Sequence, residues 1–312
     1  MAFTTRIKDY FDLFRFSLGI LSSFAVLAAG FMAYVFQGGL PNFISFLFNN
    51  GVISIDGLII GMTVTLLLAS AIEALNDVYD VETDIANKRF DRPIARGAFT
   101  PEYVRNLSTA FFIITFLLTM VLVVFYRVTA SLIFFTSICI FIGVGYNYIK
   151  RTGFIGNMWV SIGYVAPLFI GFFLLNPQDI NVIMNCTLIL SATFFLATGR
   201  EIIKDIQDYE GDLETNYKSL AIRIGPKGAA FIATFFFGAT MISAIIVGLL
   251  IYNNSVFWFF LSVLAIIFGI TSLTIIIEPP AEGGKKARKY TRWSLWWALG
   301  AFFFGVFFIP QV

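Results

Sequence analysis

The residues best equipped for chemistry form two ladders of acids. Glu73, Asp77, Asp80 and Asp84 follow one another at intervals of three and four where an apolar stretch ends, and Glu201, Asp205, Asp208 and Asp212 repeat them at a constant offset of 128 (73 to 201, 77 to 205, 80 to 208, 84 to 212). Gly97 and Gly225 obey the same offset. At about 100° per residue, the four acids of each ladder fall within roughly 60° of one another on a helix. Like charges along one face repel, and the C-terminal end of a helix already carries negative partial charge. A positive partner is required. The chain has no histidine and two cysteines, so the ligands on offer are oxygens, which suit a hard cation such as Mg²⁺ or Ca²⁺. Mg²⁺ is commonly held by one or two carboxylates together with phosphate oxygens of a substrate. Arg15, Lys88, Arg92, Arg96, Lys150, Arg200 and Lys204 lie near the ladders in sequence and can form charge-assisted bonds to phosphate. Two metal half-sites with a basic rim describe a cradle for a diphosphate. A lone Asp-x-x-Asp at a helix end is as readily a solvated pair; two matched ladders at a membrane boundary are not explained that way.

The elements that hold these residues follow from composition. Of 312 residues, 58% are hydrophobic and 13% charged, against about 25% charged in soluble domains. Apolar runs near the length of about 20 residues needed to cross a bilayer as helices lie at 14–36, 55–79, 103–125, 129–148, 158–175, 180–203, 227–251, 255–277 and 292–310. The expectation is an all-α integral membrane protein with nine transmembrane helices and an internal duplication. Basic residues test this topology, because cytoplasmic loops collect Lys and Arg. With the N-terminus cytoplasmic, of 21 basic residues only Arg127 falls outside, taking Arg200 as the cytoplasmic end of its helix. Both ladders are then cytoplasmic and the C-terminus is outside. The first span is too long for a typical signal peptide and lacks an evident cleavage site.

Cys139 and Cys186 lie inside spans and are expected as free thiols. A net charge of +2 gives no reason to expect nucleic acid, and the Lys285–Lys289 cluster reads as an anchor near anionic lipid. Residues 1–13 form an amphipathic lead-in at the membrane interface. Thr100-Pro101-Glu102 reads as an N-cap with proline at the first helical position. Residues 85–101 and 213–227 read as two corresponding polar loops.

Asn76-Asp77-x-x-Asp80-x-x-x-Asp84 followed by Arg92-Pro93-Ile94, with Asp208-x-x-x-Asp212 at the end of the sixth span, resembles the UbiA-type intramembrane prenyltransferases over nearly the whole chain. Gly199-Arg200-Glu201-Ile-Ile-Lys204-Asp205 and Lys150-x-x-Gly153-x-x-Gly156-Asn157 look most like the archaeal branch that forms the second ether bond of archaeal lipids. The Glu210-Gly211-Asp212 ending is shared with chlorophyll synthases. Two positions depart from the family: Leu18 stands where many members have an Asn, and Ala95 where Pro is common.

The resemblance implies two four-helix pseudo-repeats (about 14–148 and 158–277) and a last helix (about 292–310) around a central cavity. It implies a prenyl diphosphate donor, geranylgeranyl diphosphate in this branch, a lipophilic acceptor such as geranylgeranylglyceryl phosphate, and two Mg²⁺ ions. One ion would be held by Asp77, Asp80 and Asp84, the other by Asp205, Asp208 and Asp212, with Asn76 and the basic rim on the diphosphate and Tyr146 facing the allylic cation. Lys150, Arg151 or Lys204 are candidates for the acceptor's phosphate. An aromatic, quinone-precursor or chlorin acceptor keeps the same fold. A CDP-alcohol phosphotransferase is disfavoured by the absence of Asp-Gly-x-x-Ala-Arg. A divalent cation transporter would place acids near mid-span, whereas these gather at one boundary.

Overall fold

The computed structural model describes residues 2–39, 42–48, 54–86, 89–149, 152–214 and 218–309, and among them no strand occurs. In chain order run α1 (Ala2–Phe14), α2 (Phe16–Phe36), a short α3 (Phe43–Phe48), α4 (Ile55–Tyr79), α5 (Val81–Ala86), α6 (Pro101–Phe125), α7 (Ser131–Ile149) and α8 (Phe154–Leu174). There follow α9 (Ile180–Gln207), α10 (Tyr209–Glu214), α11 (Leu220–Val247), α12 (Ser255–Ile277) and α13 (Pro280–Gly305). Among the described residues seven helices are long and apolar enough to cross a membrane. The difference from nine has a physical reason at two places. The apolar stretch of α7, Ser131–Gly145, is short, and α13 begins with Lys285, Lys286, Arg288 and Lys289, which dilute its hydropathy.

The chain folds as two compact units, one of residues 1–30, 47–147 and 166–176, the other of 31–46, 148–165 and 177–312. In the first, Leu13 and Phe14 of α1 pack with Ala74 and Val78 of α4, Ile94 and Val104. Phe14 stacks on Phe111 of α6 at 4.9 Å between ring centroids. Further along α4, Leu68, Ala71 and Leu75 meet Phe112, Cys139 and Ala166. Small residues at these contacts let helices approach where lipid supplies no hydrophobic drive between them. Both cysteines are free and buried.

In the second unit, Ala229, Ala230 and Ala233 are fully buried on α11. Tyr252, fully buried, donates its hydroxyl to the Phe302 carbonyl at 2.9 Å and stacks on Phe257 at 4.7 Å. The expected loop over 213–227 is partly helical instead: α10 ends at Glu214 and α11 starts at Leu220, because Leu220 and Ala221 are apolar and bury themselves. Gly225, at φ 78°, then kinks α11 before Pro226.

Candidate active site

The first ladder is not one helical face. α4 ends at Tyr79, Asp80 takes φ −95° and ψ 4° as its C-cap, and Asp84 belongs to α5. The second ladder breaks at the corresponding residue: α9 ends at Gln207 and Asp208 takes φ −89° and ψ 7°. Hydrogen bonding spans both breaks, from the Asp84 amide to the Asp80 carbonyl at 2.7 Å and from the Asp212 amide to the Asp208 carbonyl at 2.9 Å. The bend relieves the repulsion that a single face of four carboxylates would carry.

In the first unit Arg15 sits between α1 and α2 at φ 44°, a left-handed conformation that costs a non-glycine residue of order 1–3 kcal/mol. It ion-pairs with Glu73 and donates Nη2 to Asp77 Oδ1 at 2.8 Å. Arg92 donates Nη1 to the same Asp77 oxygen at 3.2 Å. Asp77 is 3% exposed, and its Oδ2 is buried without a hydrogen-bond partner among the described residues.

Asp84 is buried as well. Burial pushes its carboxyl above the usual range, against the pull of Arg92 and Arg89, and Arg89 Nη1 lies 3.7 Å from Asp84 Oδ1.

The turn that delivers Arg92 is built by its own sequence. Ile94 is 5% exposed and plugs the turn into the α1–α4 core. Gly97 at φ 80° closes it with Ala98 N–H to Pro93 O at 2.9 Å and Gly97 N–H to Ile94 O at 2.9 Å, a Schellman pattern that favours glycine at the left-handed position. Thr100 then caps α6 by accepting the Tyr103 amide at 3.3 Å. Arg96, expected on the phosphate rim, bonds instead to α1: Nη2 reaches Asp9 Oδ1 at 2.5 Å and Asp12 Oδ2 at 3.0 Å, and Nη1 reaches the Asp91 carbonyl at 2.8 Å.

In the second unit Asp205 ties three elements together. Its Oδ2 accepts Asn157 Nδ2 at 2.9 Å and the Leu220 amide, at the start of α11, at 3.0 Å. A carboxylate at a helix N-terminus is favourable there. Arg200 Nη1 donates to Tyr164 Oη at 2.8 Å, with its guanidinium carbon 5.5 Å from the ring centroid; Tyr164 in turn donates to Glu201 Oε1 at 3.3 Å. Lys204 stands in the last turn of α9, and Asp212 on α10 is half-buried beside the Ser219 hydroxyl.

Asn76 is half-buried on α4. Lys88 and Lys150 lie outside the described residues, as does the side chain of Tyr146. Partners given no site role from sequence are Asn157, named there only as the end of a motif, and Tyr164, Asp9 and Asp12. The Gly153-x-x-Gly156 run before Asn157 was a signal for it; Tyr164 had none.

The donor set fits a hard divalent ion. Every candidate is a carboxylate, and Asp77 offers a buried oxygen with no competing proton donor. Among the described residues no three such groups form a closed metal cage, which is compatible with an ion completed by phosphate oxygens.

Apolar helices that end in matched acid sets with arginines beside them, found in each of the two units, define a multi-pass membrane protein that gathers acidic and basic side chains where its long helices stop. The chain belongs to the UbiA prenyltransferase family, whose sequence model matches residues 39–296. It is a membrane-embedded prenyltransferase. A relative from Saccharolobus solfataricus named digeranylgeranylglyceryl phosphate synthase is 30% identical over 258 residues, covering 81% of this chain and 86% of that protein. One of the same name from Archaeoglobus fulgidus is 27% identical over 306 residues, covering 96% of each. A solved structure described as digeranylgeranylglyceryl phosphate synthase superposes with a TM-score of 0.74 at 20% identity, over 97% of this chain and 99% of that one. A UbiA homolog from Archaeoglobus fulgidus bound to GPP and Mg²⁺ does so with 0.61 at 16% identity, over 96% and 99%. These similarities establish the fold.

Proposed function

We propose that this protein transfers a geranylgeranyl group from its diphosphate to the free hydroxyl of geranylgeranylglyceryl phosphate. The observation that carries the reading is the likeness to the Archaeoglobus fulgidus relative across 96% of both chains. GPP and Mg²⁺ in a solved family member support the donor and the ion. Asp77, Asp80 and Asp84 hold one Mg²⁺, and Asp205, Asp208 and Asp212 a second. When bound, the ions neutralise charge that develops on the departing diphosphate. Arg15, Asn76, Arg92, Arg200 and Lys204 donate to the diphosphate oxygens, with Lys88 and Lys150 completing the rim. The allylic C–O bond breaks with its electron pair going to the diphosphate. The acceptor hydroxyl oxygen then bonds to the allylic carbon, and its proton passes to the diphosphate. Tyr146 and neighbouring aromatic faces stabilise the cation meanwhile.

The acid sets and the N-terminus face the cytoplasm and the C-terminus lies outside, as the distribution of Lys and Arg supports. The test is product analysis with the purified chain in lipid, Mg²⁺ and geranylgeranyl diphosphate, offering geranylgeranylglyceryl phosphate against 4-hydroxybenzoate. Ether product that vanishes in Asp77→Ala and Asp208→Ala supports the reading. Prenylation of the aromatic acid alone replaces the acceptor, and a diphosphate that fails to bind in Mg²⁺ overturns the scheme.

A further inference from the structure

We infer that Tyr164 is a positioning residue for the donor: its hydroxyl holds the Arg200 guanidinium, so that the diphosphate meets a charge already fixed in place. The inference rests on the place given above to Arg200 among the groups that bind the diphosphate.

Arg200 stands seven residues before Gln207, the last residue of α9, roughly 10 Å inside that end by the helical rise. The helix is one of those long and apolar enough to cross a membrane. A guanidinium at that depth needs polar company, because apolar surroundings penalise a charge left without it. The neighbouring acid, Glu201, is 8% exposed. Consecutive residues point about 100° apart on a helix, so the two side chains do not face each other. Tyr164, supplied by α8, joins them. Its hydroxyl oxygen accepts Arg200 Nη1 at 2.8 Å, and its proton goes to Glu201 Oε1 at 3.3 Å, so one hydroxyl both accepts and donates. The counterpart acid of the first unit, Glu73, takes Arg15 directly. In the second unit a neutral group stands between acid and base.

A neutral partner orients a guanidinium without cancelling its charge. Arg96, by contrast, meets the carboxylates of Asp9 and Asp12 and serves the fold. Tyr164 occupies only part of the Arg200 fork of donors. A guanidinium whose plane is already set loses less side-chain freedom when it binds a phosphate oxygen. Tyr164 lies midway along α8, whereas tyrosines of membrane helices favour the interfaces at the ends. Its side chain is 37% exposed, so packing does not account for it. The two polar contacts do.

The test is equilibrium binding of geranylgeranyl diphosphate to the full chain in lipid nanodiscs with Mg²⁺, read by native mass spectrometry, for Tyr164→Phe, Arg200→Ala and the two combined. Tyr164→Phe removes only the hydroxyl and should weaken the diphosphate by roughly tenfold, the scale of one hydrogen bond to a charged group, while the melting curve stays cooperative. In turnover the same substitution should raise the donor KM with little change in kcat, as expected when binding shared by ground and transition states is lost. Added to Arg200→Ala it should change nothing further, because a residue that acts through Arg200 has no effect once Arg200 is gone. Unaltered affinity in Tyr164→Phe overturns the inference. So does a loss that persists undiminished beside Arg200→Ala, which would assign Tyr164 to helix packing. Arg200→Ala with unaltered affinity overturns it together with the place of Arg200 on the diphosphate. Binding is measured without acceptor, so an Arg200-dependent effect of Tyr164 upholds the inference even where no ether product forms, and then only the acceptor reading fails.

Discussion

Asp77 uses one oxygen for two arginines and keeps the other buried and unbonded among the described residues. A cation can therefore join without displacing either guanidinium. Asp77→Asn retains an acceptor for Arg15 and Arg92 but loses the charge, so transfer activity should fall at least about 100-fold with little change in melting temperature. Asp77→Ala leaves both arginines without this acceptor and should also lower stability by about 2 kcal/mol, measured as thermal unfolding in detergent.

Asp212 gives a pH signature. Burial pushes its carboxyl up to about 6, assisted by Asp208 and opposed by the Ser219 hydroxyl and Lys204. The folded state thus binds an extra proton between about pH 4 and 6, and the stability of the metal-free protein falls as pH rises through that window and levels off above it. Ligation requires the ionised form, so Mg²⁺ affinity should weaken as pH falls below about 6. Calorimetric titration from pH 5 to 7.5 checks this, and Asp212→Asn should flatten the profile.

At the scale of elements, helix breaks determine where the acids point. Asp80 and Asp208 leave their helices with nearly the same backbone angles, so Glu73 and Asp77 remain on α4 while Asp84 swings onto α5. The turn that delivers Arg92 depends on Gly97 at φ 80°, where an added Cβ meets nothing within 4 Å. Gly97→Ala should therefore cost about 1 kcal/mol through backbone conformation alone, visible as a lower melting temperature with the diphosphate KM raised as Arg92 loosens.

Gly284 acts by proximity instead: a Cβ there would lie 2.6 Å from the Gln207 Cα, at the residue before Asp208. Gly284→Val must push α13 away from the end of α9. We expect loss of activity with the Mg²⁺ dependence shifted to higher concentration, which a Gly300→Val control, whose added Cβ comes nearest to the Phe260 side chain, should not reproduce.

For the whole molecule, orientation is open to a chemical test. In a background with Cys139 and Cys186 replaced, Lys285→Cys should react with a membrane-impermeant thiol reagent only from the cytoplasmic side, and Gln178→Cys only from outside. The reverse pattern would invert the topology. The amino-acid sequence by itself determined the all-helical membrane character, the matched acid sets and the family, because apolar run length, loop charge and acid spacing are local properties of residue types. It placed the N-cap at Thr100 and the anchoring Arg92-Pro93-Ile94 motif for the same reason. Only the tertiary structure decided that Arg15 and Arg92 share one oxygen of Asp77, that Arg96 clamps α1, and that Asp205 holds the start of α11. Those partners lie 62, 15, 87 and 15 residues apart along the chain, and which cation meets which acid depends on how helices approach one another. The bend at Asp80 and Asp208 belongs there too, since an uninterrupted helix and a bent one share the same spacing of acids and differ in the charge repulsion that folding must relieve.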